Sequence, residues 1–269
     1  MWNILDKKIN SRFLLGTSSY PSLEILKNSI IASGTEIITV SLTRAKFDLK
    51  DNHFYNTLNE VSCNLLPNTA GCYSAKEAIN TAKLAREVFD TKWIKLEVIA
   101  DDYTLQPNSL ELLKATETLI KDGFEIFPYC TDDINICKEL VNLGCQILMP
   151  MGSPIGSGQG LLNKFNLLRL RDRFPDISLI IDAGIGRPSD SVEALEIGYD
   201  GVLLNSAVSG VIDPVKMAEA FKLGIISGRL AYESGDHPVK PPFYAHCKID
   251  KLAPYFSLYF IGVSPPKLS

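Results

Sequence analysis

Lys95 and Glu97 stand two positions apart in the apolar run Trp93-Ile-Lys-Leu-Glu97-Val98. In an extended strand alternate side chains point to the same side, so the amine and the carboxylate share one face while Ile94, Leu96 and Val98 share the other. The apolar set suits packing beneath helices, which turns the charged pair inward. An isolated ammonium withdrawn from water is costly. Loss of water lowers a lysine pKa and favours the neutral amine, the form that attacks a carbonyl to give a Schiff base. An ionised Glu97 pulls the other way, and the two cooperate if Glu97 moves protons as the imine forms. The alternative is a purely structural ion pair.

Three further clusters suit a phosphorylated substrate. Asp182-Ala-Gly-Ile-Gly186-Arg-Pro188 ends an apolar run in an acid, then a glycine-rich turn, then a proline that opens a helix. Backbone N–H groups there, with the helix N-terminus, suit a phosphate, and Asp182 is a second candidate acid or base. Leu203-Leu-Asn205-Ser206 ends the next apolar run with donor groups. Gly152-Ser-Pro-Ile-Gly156-Ser-Gly158-Gln-Gly160 reads as a loop covering a ligand with free N–H groups. It lacks the Gly-Lys-Ser/Thr ending of a nucleotide-binding P-loop and the Gly-x-Gly-x-x-Gly spacing of a dinucleotide site. Ordinary strand ends and a flexible loop are the bland readings of these three. The same holds for Pro67–Gly71 and Pro128–Cys130, which also end strands.

Short apolar or β-branched runs at 13–18, 36–42, 64–70, 93–99, 125–130, 146–151, 178–184 and 201–208 begin 21 to 32 residues apart, the length of one strand, one helix and two loops. Between them lie helical patterns. Ala78, Ala82 and Ala85 fall on one face of a helix opened by Ser74 and Glu77 in capping-box spacing. Pro107 to Lys121 precedes Gly123, Asp132 to Leu143 precedes Gly144, Pro188 to Ile197 precedes Gly198, and Pro214 to Ile226 runs toward Gly228. Runs such as Leu179–Ile181 and Val202–Leu204 are continuously apolar, as parallel strands buried on both faces are. The expected fold is α/β, a single-domain (β/α)8 TIM barrel over 1–247, with a C-terminal extension over 248–269. An open doubly wound sheet is the competing topology. In a barrel the active site lies at the C-terminal strand ends, and a phosphate site recurs after strands seven and eight. The clusters above fall at those places.

The bulk properties fit such an enzyme. Net charge is -4, against the basic excess of a nucleic-acid binder. No run is long enough for a membrane helix, and the start of the chain reads as neither a signal nor a transit peptide. The 6 cysteines lack Cys-x-x-Cys spacing, and Cys130, Cys137 and Cys145 read as small core residues in a reducing compartment. His53, His237 and His246 are too scattered for a zinc site, so the reading calls for no metal and no cofactor.

Leu65-Leu-Pro-Asn-Thr-Ala-Gly71, Ile94-Lys-Leu-Glu97, Phe127-Pro-Tyr129, the block Met149 to Leu161, Asp182-Ala-Gly-Ile-Gly186 and Asp200-Gly-Val-Leu-Leu-Asn205 together resemble thiazole synthase of thiamine biosynthesis, over about Ile4 to His246. The resemblance implies a barrel that condenses 1-deoxy-D-xylulose 5-phosphate, dehydroglycine and sulfur from a carrier protein with a C-terminal thiocarboxylate. It implies an imine on Lys95, acid–base roles for Glu97 and Asp182, and contacts to the phosphorylated sugar at Gly156, Ala183, Gly184, Asn205 and Ser206. It further implies a homotetramer that pairs with the sulfur-carrier protein or with a dehydroglycine-producing enzyme, in bacterial cytosol or plastid stroma. One departure stands out: the family commonly reads Gly-Thr-Gly-Lys where this chain reads Gly16-Thr-Ser-Ser19. Rival functions are a Schiff-base aldolase or lyase on a sugar phosphate, and a non-catalytic phosphate-binding scaffold.

Overall fold

A computed structural model describes residues 1–42 and 53–235. The boundary at 247 and the extension 248–269 lie outside the described residues. The elements in chain order are β1 (Trp2–Ile4), β2 (Lys7–Ile9), β3 (Phe13–Gly16), α1 (Leu23–Ser33), β4 (Ile37–Ser41), α2 (His53–Asn59), β5 (Asn64–Asn68), α3 (Ala75–Phe89), β6 (Trp93–Leu96), α4 (Ser109–Lys121), β7 (Glu125–Cys130), α5 (Ile134–Asn142), β8 (Ile147–Pro150), α6 (Lys164–Arg173), β9 (Ser178–Asp182), α7 (Pro188–Glu196), β10 (Gly201–Leu204), α8 (Ser206–Ser209) and α9 (Pro214–Ser234). Strands β3 to β10 form a closed parallel barrel. Val202 to Leu204 pair with Phe13 to Leu15, and this seam decides against the open sheet.

The outward residues of the strands meet the helices. Ile94, Leu96 and Val98 are buried in one apolar layer with Ala78, Ala82 and Ala85 of α3, as their alternation requires. Ser74 Oγ accepts from Glu77 N–H at 3.3 Å, while the Glu77 carboxylate returns to Tyr73 N–H at 2.8 Å, one residue before the expected partner. The inward residues form a second layer that includes Leu14, Ile37, Trp93, Phe127, Met149 and Ile180. Below it lies the β1–β2 hairpin, whose Trp2, Ile4 and Ile9 belong to the same inner cluster. Trp2 Nε1 donates to Ser11 O at 3.1 Å and the Arg12 guanidinium sits 5.2 Å from the Trp2 ring, fastening this floor.

Two expected boundaries moved. The last strand was expected to reach 208, but it stops at Leu204 because Asn205 turns the backbone and Ser206 begins α8. Helix α9 runs through Gly224 and Gly228 to Ser234 rather than ending there. A Cβ at Gly224 would stand 3.1 Å from Pro188 O, and one at Gly228 would meet Val192 O, so both glycines let α9 approach α7 closely. Cys130, Cys137 and Cys145 are buried and free. Among the described residues no helix is long and apolar enough to cross a membrane.

Candidate active site

Two residues beyond the inner apolar layer, the same strands turn polar. Trp93 is followed inward by Lys95, Phe127 by Tyr129 and Ile180 by Asp182, so one alternation delivers a lysine, a tyrosine and an aspartate to one level of the barrel. Lys95 Nζ donates to Glu97 Oε1 at 2.8 Å and lies 2.7 Å from Asp182 Oδ2. The ammonium also stands 5.5 Å from the Tyr129 ring centre, within range of its electron-rich face. Lys95, Glu97 and Asp182 are only 5%, 6% and 3% exposed, so their charges compensate one another rather than being met by water.

Glu97 lies just past the end of β6, where ladder pairing has ceased. Thr69 takes over that task. Its hydroxyl donates to Glu97 O at 2.7 Å and accepts from Glu97 N–H at 2.8 Å. The carboxylate is thereby held beside Lys95 by a fixed main chain.

Burial alone would lower the Lys95 pKa, but the adjacent Asp182 and Glu97 carboxylates outweigh it and hold the group above the ordinary lysine range. The two carboxylates therefore favour the ammonium form, as expected of an ionised Glu97, and oppose the lowering expected from desolvation. Burial pushes Asp182 up to about 6, Glu97 adding to the rise and Lys95 opposing it. Burial and the neighbouring carboxylates likewise push Tyr129 above its ordinary value.

The cavity that holds Lys95, Glu97 and Asp182 is lined further round by Gly156, Ala183, Gly184, Asn205 and Ser206. All eight residues singled out in the sequence thus border one space. Ala183 and Gly184 take left-handed backbone conformations in succession, with φ of 71° and 84°. A Cβ at Gly184 would overlap the Ser153 hydroxyl and backbone nitrogen. The 152–160 loop is fastened to this turn: Gly152 N–H donates to Ala183 O at 3.3 Å and Gly160 N–H to Gly184 O at 2.8 Å. It is thus a built wall of the cavity. No described residue accepts from the N–H groups of Gly184 or Ser206, which leaves both to a ligand.

The helix N-terminus expected to serve a phosphate is otherwise engaged. Gly186 and Arg187 N–H both donate to the Asp190 carboxylate at 2.9 Å, which caps α7 from within. Those two N–H groups are therefore not free for an anion. Among the described lining residues Lys95 is the one cationic side chain. Among the described residues no three His, Cys, Asp or Glu side chains converge as metal ligands do.

Sequence reasoning treated Thr69 and Tyr129 as strand-end structure. The signal for Tyr129 was present in its two-residue step from Phe127. The role of Thr69 depends on where β6 ends, and Ser153 acts through a contact between loops, which no local pattern announces.

Comparison with known proteins agrees with this geometry. The closed barrel is similar to that in the crystal structure of the Amycolatopsis orientalis BexX/CysO complex, with TM-score 0.79 and 24% identity over 89% of this chain and 98% of that one. At sequence level the chain is 55% identical over 235 residues to a thiazole synthase of Coxiella burnetii (strain Dugway 5J108-111), covering 87% of this chain and 91% of the relative. It is 53% identical over 236 residues to that of Bradyrhizobium sp. (strain ORS 278), with the same 87% and 91% coverage. Residues 3–246 match the model of a single family, and with these relatives they establish that the chain belongs to the family of thiazole biosynthesis protein ThiG.

Proposed function

We propose that this thiazole synthase builds its ring on a Schiff base between Lys95 and the ketone of 1-deoxy-D-xylulose 5-phosphate. The observation that carries the reading is the Lys95 amine, 2.8 Å from Glu97 and 2.7 Å from Asp182, inside a cavity that also presents the unclaimed Gly184 and Ser206 N–H groups.

The Lys95 ammonium first passes a proton to Asp182, the neighbour whose raised pKa of about 6 best suits it as acceptor. The neutral amine adds to the ketone carbon, a carbon–nitrogen bond forms, and the carbonyl oxygen leaves as water after protonation. Glu97 and Asp182 then move protons between the adjacent carbons and the nitrogen through imine and enamine forms. The Tyr129 ring faces the nitrogen and favours its cationic states. Gly156, Ala183, Gly184, Asn205 and Ser206 hold the phosphorylated sugar. Sulfur arrives from the C-terminal thiocarboxylate of a sulfur-carrier protein and replaces a sugar oxygen, which the carrier takes up as it leaves as the carboxylate; dehydroglycine then closes the ring, its nitrogen displacing the Lys95 amine.

The wider assembly belongs to the same proposal: a homotetramer that meets the carrier protein or a dehydroglycine-producing enzyme, in cytosol or plastid stroma. Borohydride reduction of protein incubated with the sugar phosphate should add the mass of one reduced sugar phosphate to the peptide that contains Lys95. Lys95→Ala and Lys95→Arg should give no adduct; the arginine retains the ion pairs but cannot supply a neutral nucleophile. An adduct of undiminished yield in folded Lys95→Arg would overturn the assignment.

A further inference from the structure

We infer that Ser18 is a positioning residue for the phosphate subsite, acting through Asn205. The inference rests on the Schiff-base reading above and deepens it. The end of β3 and the end of β10 lie side by side where the barrel closes, Leu15 pairing with Leu204. One residue further on, the Asn205 side chain folds across Gly16. A Cβ at Gly16 would stand 2.6 Å from Asn205 Cβ and 2.8 Å from its Cγ, so only glycine leaves room for it. The amide is then held by the first strand. The amide stands 2.6 Å from Ser18 Oγ, and in the orientation that satisfies both of its ends the oxygen accepts from Ser18 Oγ while the nitrogen donates to Ser18 O at 2.9 Å and Gly16 O at 3.3 Å. Gly16, Ser18, Asn205 and Ser206 all line the cavity that contains Lys95.

The latch matters because of what Asn205 carries next to it. The Asn205 backbone, at φ -141° and ψ -78°, makes the turn that ends β10 and leads into Ser206, which lines the cavity and whose N–H has no described acceptor. The subsite has no cationic side chain of its own among the described lining residues, Lys95 being committed to the two carboxylates. What the described lining residues offer a phosphate is a few dipoles, and dipoles bind well only when their direction is fixed beforehand. Ser18 fixes this one.

The test is calorimetric binding of 1-deoxy-D-xylulose 5-phosphate and of the phosphate-free 1-deoxy-D-xylulose to wild type, Ser18→Ala and Ser18→Thr, with borohydride trapping alongside. Loss of one neutral hydrogen bond predicts a Kd for the phosphorylated sugar about five- to tenfold weaker in Ser18→Ala. The phosphate-free sugar should bind both proteins equally, and Ser18→Thr, which keeps the hydroxyl, should restore wild-type affinity. An unchanged Kd in Ser18→Ala, or an equal weakening for both sugars, would overturn the inference. Repeating the titrations in a Lys95→Arg background reads binding without the imine, so failure to trap an adduct in wild type would count against the Lys95 reading alone.

Discussion

Replacing Lys95 with methionine keeps the volume of the side chain and removes its charge, which makes it a direct measure of the buried cluster. Glu97 and Asp182 then lose the nitrogen that lies 2.8 and 2.7 Å from them, which places their nearest oxygens less than about 5.5 Å apart. At an effective dielectric of about 20, two like charges at that separation repel by about 3 kcal/mol. Breaking a buried ion pair from one side generally destabilises by about 3–5 kcal/mol. Lys95→Met should therefore lose about 3–5 kcal/mol at pH 8. Part of that loss is recoverable with protons. In the variant a carboxylate has its folded pKa raised above its unfolded value, so the folded state binds the extra proton. Its contribution is present below the ordinary carboxylate range and is lost as pH rises through the raised value, at about 1.4 kcal/mol per unit. Urea unfolding should show Lys95→Met losing up to about 3 kcal/mol between pH 5.5 and pH 8, beyond any change in wild type. Adding Asp182→Asn should recover much of the loss, because a single buried carboxylate then remains. A variant as stable as wild type at pH 8, with no excess pH dependence, would refute the claim that the three charges depend on one another.

Two further expectations concern the chemistry and the wall of the site. If Asp182 takes the proton from Lys95, the initial rate of adduct trapping should fall about tenfold per unit below about pH 6, where Asp182 is already protonated, and stay level above it. In Asp182→Asn the rate should instead climb into the alkaline range, and a wild-type rate still climbing above pH 8 would assign the proton elsewhere. Gly184→Ala puts a Cβ into the Ser153 backbone at φ 84°, so it should destabilise by about 2–4 kcal/mol and abolish sugar-phosphate binding by calorimetry. Unaltered binding would show that this turn does not face the phosphate.

Much of this was legible from alternation alone. The step from Ile94 to Leu96 to Val98 assigns one face to the helices, and Lys95 and Glu97 follow inward without further assumption. The apolar runs and their spacing led to the closed barrel because buried parallel strands carry little else. Long-range facts were not legible. Asp182 completes the charge cluster from a strand 87 positions away, and this contact adds to Glu97 in opposing the pKa lowering that burial would bring to Lys95. The capping of α7 by Asp190 removes donors that the sequence offered to a ligand. Gly228 reads as a helix end because glycine is a poor helix former, yet here close packing on α7 sets its identity and that of Gly224. Strands β1 and β2, at 3 residues each, are too short to show a period.

That hairpin has a consequence for traffic. With Trp2, Ile4 and Ile9 plugging the bottom of the ring, a molecule bound for Lys95 comes down from the rim. On the function proposed above, the sugar phosphate, the small imine and the end of the carrier chain would share that doorway, and the product would leave by it. Whatever binds deepest would then enter first and depart last, so a sugar tethered to Lys95 would set the order of the queue.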